Sequence, residues 1–383
     1  MDRKEYINEL YNQIAEELSI SQTMIEKAIS SYEAVGKWLG ECEPGLDVKI
    51  MSQGSFNLGT IIKPLSDKDD YDIDLVCLLA NGAELQAKEI KQIVGERLKE
   101  NKRYKAMLDK EGKRCWTIQY DEFHMDILPS VPKGGTFVEP QMTEIRLTHK
   151  KADDFYEDRF SNPYQYREWF QDRMKTVLLE AKSQYAARNR VEISTVPIYR
   201  VKTPLQKAIQ LLKRHRDIMF ENDQSGDAPI SIIITTLAAK AYGNESNLYD
   251  ALYNVVNHMM EYVEIGGDGR YRIENPVMSE ENFADKWNEK PHKAECFKRW
   301  LAAVKNDILN CPMALVGTEE ISKGVKNSFG EGITNRAYNK IAENNKQSRN
   351  NGTLYIDGLQ GGLTTKASCG NRPVMEHTFY GKD

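Results

Sequence analysis

The chain has 383 residues, 40% of them apolar and 28% charged, an ordinary balance for a soluble globular protein but too long for a single apolar core. Its net charge of −5 argues against binding a long nucleic acid, which needs many phosphates neutralised by Lys and Arg, and leaves a small phosphorylated substrate open. No apolar run reaches bilayer length, the charged residues 1–5 have no signal-peptide core behind them, and six scattered cysteines without a Cys-x-x-Cys pair suggest neither a zinc site nor a disulfide framework, so the cytoplasm is the expected compartment.

Residues 4–18 carry Ile7, Leu10, Tyr11, Ile14 and Leu18 on one helical face. Ser19 and Ser21 offer an N-cap, and Ile25, Ala28, Ile29, Tyr32, Val35 and Leu39 mark a second amphipathic helix, broken by residues 40–45. Residues 47–51 read as a strand leading into Gly54-Ser55. Glycine there lets the backbone approach a phosphate, whose oxygens the free N–H groups and the Ser55 hydroxyl can bond. An ordinary turn is the bland rival. Tyr71-Asp72-Ile73-Asp74 then runs into Leu75, Val76, Cys77, Leu78 and Leu79, closed by Asn81-Gly82, and reads as a strand. Side chains alternate across a strand, so Asp72 and Asp74 share a face. Two carboxylates on one face repel unless a cation sits between them, and oxygen ligands at this spacing suit Mg²⁺; a merely solvated Asp-x-Asp is the alternative.

Residues 84–100 are helical, with Leu85, Ile90, Ile93, Val94 and Leu98 apolar. Residues 115–120 and 123–128 read as paired strands ending at Pro129 and a turn at 132–135. Asp126, between Met125 and Ile127, faces away from both and is a third candidate carboxylate. His124 could share its face as a general base, although a structural histidine is commoner there. The mixed order predicts an α+β fold with a mostly antiparallel or mixed sheet.

Residues 163–190 read as one helix, with Trp169-Phe170 as core rather than a base-stacking platform, and 196–201 as a short strand-like link. From Leu205 the chain reads as helical to about 315, Leu205, Ile209, Leu212 and Met219 forming a buried stripe. Lys207, Lys213, Arg214, His215 and Arg216 stand on the same helix, as a solvated face or as partners for phosphate. Ser231, after Pro229-Ile230, sits at a helix start, where a hydroxyl and free N–H groups favour an anion; a plain N-cap is the rival. Past Thr318 apolar density falls, and the Gly/Asn-rich residues 344–372 are expected to bury little and to be partly mobile.

The set Gly54, Ser55, Gly59, Thr60, then Ile62-Lys63-Pro64, then Asp72, Asp74 and Asp126, resembles the DNA-polymerase-β-like nucleotidyltransferases, and most of all the cGAS/DncV-like nucleotidyltransferases (CD-NTases) of bacterial anti-phage systems. The resemblance runs from about residue 20 to 310. It implies a polymerase-β-like nucleotidyltransferase core with a mixed sheet and an α-helical second lobe, braced by a long N-terminal helix that residues 21–40 fit. The expected division is 1–203 for the N-terminal helices and core, 204–318 for an oligoadenylate-synthetase-like helical lobe, and 319–383 for the tail. It further implies two Mg²⁺ ions, with Mn²⁺ as a substitute, among Asp72, Asp74 and Asp126, and a triphosphate held by Gly54, Ser55, Lys213 and Ser231. ATP, GTP or a pyrimidine triphosphate would be joined into a cyclic di- or trinucleotide that activates a separate effector (CBASS). A C-terminus reached by a regulatory or ligase partner would fall on residues 379–383. A template-independent RNA-terminal nucleotidyltransferase shares the same chemistry, and a catalytically inactive nucleotide-binding scaffold is the reading of another class.

Overall fold

The computed structural model describes residues 3–41, 47–66, 70–135, 144–196, 200–315, 318–358, 362–365 and 367–374; residues 379–383 and residues 197–199 of the 196–201 link lie outside these. Helix α1 (Arg3–Leu18) buries Ile7, Leu10, Tyr11, Ile14 and Leu18, the face its spacing predicts. Ser21 caps α2 (Gln22–Gly40) by accepting a hydrogen bond from the Met24 N–H. The two helices serve different cores. The apolar face of α1 packs among the helices of the C-terminal half, whereas α2 buries Ile25, Ala28, Val35 and Leu39 against the sheet. Bracing expected of one helix is thus shared by two, because the break at residues 19–21 lets each face its own partner.

The sheet follows in β1 (Val48–Gln53), the one-turn helix α3 (Gly54–Asn57), β2 (Tyr71–Leu79), helices α4 (Ala87–Glu100) and α5 (Lys102–Met107), β3 (Trp116–Gln119), β4 (Phe123–Pro132), β5 (Ile145–Ala152) and β6 (Phe155–Ser161). The strand order is β1-β2-β4-β5-β6, with β3 also paired to β4. β2 and β4 are parallel and the other pairings antiparallel, so the sheet is mixed and the class α+β, as the sequence predicts. β2 alternates as expected: Tyr71 and Ile73 are buried between exposed Asp72 and half-buried Asp74. One sheet face packs Ile73, Leu75, Cys77 and Leu79 against α2 and α4; the other packs Val76 and Leu78 against Ile145 and Leu147.

One sheet expectation needs correction, and one hairpin was not expected. β4 does not end at Pro129 but runs on to Pro132. Its partner on one edge changes there, β3 covering residues 124–127 and β5 covering 130–132, and Pro129, with no N–H for a ladder, falls in the gap. The β5–β6 hairpin escaped the sequence because its residues are mostly polar and half-exposed, with no apolar run to mark them.

The helical half comprises α6 (Pro163–Arg173), α7 (Lys175–Asn189), α8 (Pro204–Met219), α9 (Ser231–Ala241), α10 (Leu248–His258), α11 (Asp285–Glu289), α12 (His292–Val304), α13 (Cys311–Ala314), α14 (Thr318–Phe329) and α15 (Glu331–Asn350). The helix expected over 163–190 divides at Met174, which is drawn into the core and accepts a hydrogen bond from the Thr203 hydroxyl at 3.0 Å. Phe170 is fully buried and Trp169 packs on the same core. Residues 205–315 are not helical throughout: short antiparallel pairs (Glu264–Ile265 with Tyr271–Arg272, Glu274–Asn275 with Met278–Asn282) interrupt them. Beyond 318 two more helices follow, the second running through residues 344–350 of the stretch expected to bury little. Ile321, Val325, Phe329, Ile333, Ala337 and Ile341 are few but fall at helical spacing, enough to bury one stripe. The strands Tyr355–Ile356, Leu363–Thr364 and Arg372–Pro373 then form a small sheet. Among the described residues no helix is long and apolar enough to cross a membrane.

Candidate active site

β2 and β4 lie side by side in parallel register, which sets Asp74 opposite Asp126 and Asp72 opposite His124. Neighbouring strands are about 4.8 Å apart, so these groups crowd one edge of a sheet face. Asp126 accepts a hydrogen bond from the Thr117 hydroxyl of β3 at 2.6 Å. His124 lies 3.0 Å from Asp70 and 3.8 Å from Asp72, pairing with carboxylates on the same face.

The crowding shows in the charges. Burial, then the charges of Asp126 and Asp72, push the Asp74 carboxyl up to about 7, against a smaller pull from Lys213. Asp72 is raised too, first by partial desolvation in the cleft and then by Asp126, with His124 opposing. This donor set carries more negative charge than its protein partners offset, and so fits a divalent cation. No three acidic, His or Cys side chains among the described residues already close into a metal cage. Oxygen donors of this kind suit Mg²⁺, an ion that keeps waters and completes its shell with substrate phosphates.

Gly54 begins α3 directly after β1, whose last residue, Gln53, pairs with Asp74. Its φ of +64° belongs to the left-handed region, and a Cβ there would collide with the Asp74 carboxylate. Ser55 is half-buried, and its hydroxyl has no partner among the described residues.

The chain after this turn is fixed by α8. Gln206 donates to the Leu58 carbonyl at 2.9 Å, Gln210 to Ile61 at 2.6 Å, Lys213 to Thr60 at 3.1 Å, and Arg214 to Lys63 and Pro64 at 2.5 and 3.1 Å. These side chains stand at i, i+4, i+7 and i+8, one stripe of the helix. The basic run is therefore not a solvated face at Lys213, Arg214 and His215, which are all buried. Met219, expected in the apolar stripe, is 38% exposed at the helix end. Burial, with Arg216 nearby, depresses the Lys213 ammonium to about 7, while Asp217 and Asp74 oppose the shift.

Ser55, Asp70, Asp72, Lys213, Arg216, Asp217 and Ser231 line one cleft of about 170 Å³. Ser231 is the first residue of α9, not its N-cap, which is Ile230. Its hydroxyl accepts from Arg216 at 3.0 Å, leaving its own proton free to be donated. A hollow of about 520 Å³ lies apart from these residues, between Ala83, Arg146 and Tyr156, and holds none of them. Sequence reading missed Thr117, Gln206 and Gln210. The glutamines had a signal, polar residues at helical spacing within an apolar segment; a lone strand threonine had none.

Known proteins resemble the chain along most of its length. A family profile described as "Cyclic GMP-AMP synthase DncV-like, nucleotidyltransferase domain" matches residues 48–129. The chain is 30% identical to a c-di-GMP synthase of Roseivirga ehrenbergii over 99% of its own length and 98% of the relative's. It is 23% identical to the cyclic dinucleotide synthase CdnG of Bradyrhizobium diazoefficiens, covering 87% of this chain and 83% of that one. The structure of that CdnG in complex with GTP superposes with a TM-score of 0.68 at 20% identity, over 88% of this chain and 99% of the other.

Proposed function

The chain belongs to the cGAS/DncV-like nucleotidyltransferases, and from that premise we propose that it joins nucleoside triphosphates into a cyclic dinucleotide, with GTP as substrate and c-di-GMP as the product class. The full-length similarity to a c-di-GMP synthase supports the choice of base. The observation that carries the reaction type is the register of Asp74 with Asp126, with Asp72 alongside and the Gly54 turn packed against Asp74.

Each group has a task. The first-turn N–H groups of α3 and the Ser55 hydroxyl donate to phosphate oxygens. Lys213 and the Ser231 hydroxyl meet the same phosphates from the helical side of the cleft. Asp72 and Asp74 would hold the nucleotide's metal ions, and Asp126 would face the acceptor ribose hydroxyl. Mg²⁺, or Mn²⁺ in its place, supplies polarisation of that hydroxyl and neutralisation of the departing pyrophosphate. The hydroxyl attacks the α-phosphorus in line; a second, intramolecular transfer closes the ring. We place the chemistry in the cytoplasm, in anti-phage defence, with a separate effector reading the product.

Incubation with GTP, ATP, CTP and UTP, singly and together, with Mg²⁺, followed by phosphatase and mass analysis, tests this. A phosphatase-resistant product from GTP alone is expected. Product only from a mixture would refute the choice of base, and extension of an added RNA without any cyclic product would refute the cyclase reading.

A further inference from the structure

β3 is a short strand with an uncommon amount of anchoring. It pairs with β4 from Trp116 to Gln119, and on its other edge, among the described residues, it makes a single bridge between Leu108 and Ile118 and accepts the Asp109 N–H at the Thr117 carbonyl, at 2.9 Å. Its start is pinned from below by α4. The Lys91 ammonium is fully buried and donates to the carbonyls of Gly112 and Cys115 at 3.0 and 2.8 Å. The Lys91 carbonyl accepts from the Trp116 indole at 2.9 Å. That indole lies over Gly95, where any Cβ would collide with it. A buried ammonium is costly, and none of these groups reaches the cleft. Together they fix the register of β3 to β4, and that register sets Thr117 opposite Asp126, with the hydroxyl 2.6 Å from one carboxylate oxygen.

We propose that Thr117 is a positioning residue for nucleotidyl transfer: its hydroxyl locks the Asp126 carboxylate in one rotamer, occupying Oδ1 so that the remaining oxygen is presented to the reaction. The proposal rests on the nucleotidyltransferase reading of the site. The chemistry is specific. Asp126 lies on a strand edge crowded by Asp72 and Asp74, both of which it perturbs electrostatically. Repulsion favours a side chain swung away from them. A donor fixed by the β3 ladder opposes that swing without adding charge. Asp74 needs no such donor, since the Gly54 backbone packs against its carboxylate. Thr117 acts on the step that Asp126 serves, not on binding of the triphosphate by Ser55, Lys213 and Ser231.

Thr117→Val keeps the shape and β-branching of the strand residue and removes the donor. We expect kcat to fall about tenfold to a hundredfold, the scale of a hydrogen bond to a charged group, with KM for GTP unchanged within about twofold. The thermal upshift produced by a non-hydrolysable GTP analogue with Mg²⁺ should persist, and Thr117→Ser should restore kcat to within a few-fold of wild type. Thr117→Val turning over at the wild-type rate overturns the proposal. So does loss of the analogue's upshift together with kcat, which would mark a collapsed site. A further readout does not depend on turnover: crystals of wild type and Thr117→Val compared at Asp126, with one rotamer expected in the first and a displaced or split carboxylate in the second. An identical single rotamer in both overturns the proposal even if the reaction reading stands. A wild type that forms no product from any triphosphate defeats the reaction reading instead, and the rotamer comparison still decides whether Thr117 locks Asp126.

Discussion

Gly54 lies against the Asp74 carboxylate so closely that the smallest side chain at position 54 would overlap Oδ2, while its φ of +64° already excludes most L residues. The phosphate-side turn and the carboxylate edge are thus one packed unit. Gly54→Ala should cost about 1–2 kcal/mol in backbone strain alone. It should also displace Asp74, and misplacement on the ångström scale can lower a rate on the order of a hundredfold. Ser55→Ala, which removes one donor and disturbs no packing, should instead raise KM for the triphosphate about tenfold and leave the melting temperature unchanged. Equal effects from the two substitutions would break the link between turn and carboxylate. Steady-state rates and thermal melts of both variants measure it.

Lys213 joins the helical half to the turn through the Thr60 carbonyl and hydroxyl, at 3.1 and 3.3 Å. Lys213→Ala should weaken GTP binding far more than guanosine binding. It should also destabilise the free protein by about 1–3 kcal/mol, since Thr60 loses a buried partner. Because Lys213 is only 3% exposed, salt should screen its contribution weakly. Calorimetric titration of GTP and guanosine at low and high salt separates this from a surface lysine, whose effect would vanish at high salt.

Two lysines outside the cleft, Lys91 fully buried and Lys202 half-buried, set a pH signature. Burial depresses Lys91 to about 8 and Lys202 to about 7 in the folded protein, against an ordinary value near 10.5. Between those values and about 10 the unfolded chain holds more protons than the folded one, so stability rises with pH across that window. Below about 7 both states carry both charges and the penalty is complete. Above about 10 the raised tyrosines, such as Tyr71 at about 12, reverse the trend, because the unfolded state then loses protons first. Denaturant melts at pH 7, 8 and 9 without metal should therefore show increasing stability. Lys91→Met with Lys202→Met should reduce the slope to the share left by Lys213, itself at about 7, whatever it does to absolute stability; an unchanged slope would refute the assignment.

The carboxylate edge and the turn before it were legible because their signals are local: period-two alternation places Asp72 with Asp74, and Gly54-Ser55 precedes it by a fixed distance. Asp126 was legible as a strand residue between two apolar neighbours. Other features depend on partners distant in sequence. Nothing near Gln206 announces that it bonds Leu58, or near Thr117 that β3 sets it against Asp126. Burial of Lys213 and Arg214 inverted the usual meaning of a basic run, since the carbonyls of residues 60–64 replace water. The helices past 318 were obscured by an average: low apolar density over a long window hides a few apolar residues at the right spacing.

Asp72→Asn with Asp74→Asn tests the centre of the site. Asparagine keeps the shape and removes the charge that would hold Mg²⁺ against the nucleotide. Loss of several kcal/mol of charge stabilisation means a rate lower by about a thousandfold or more. The free protein should melt higher, since Asp74 at about 7 in the fold and 3.8 as its ordinary value reports the cost of burying its charge, and then repulsion from Asp126 and Asp72, both of which the variant relieves. The sign follows from linkage. The folded state binds the extra proton between those values, so the wild type loses stability as pH rises from about 4 to 7, and the variant's advantage should be small near pH 4 and complete above pH 7. With Mg²⁺ and GTP the order should reverse, because ligand stabilises only the protein that binds it. Asp126→Asn should keep more of the ligand-induced upshift than the double variant yet still fail in transfer. Pyrophosphate release by the double variant at a near wild-type rate would remove these carboxylates from the reaction and the nucleotidyltransferase mechanism with them.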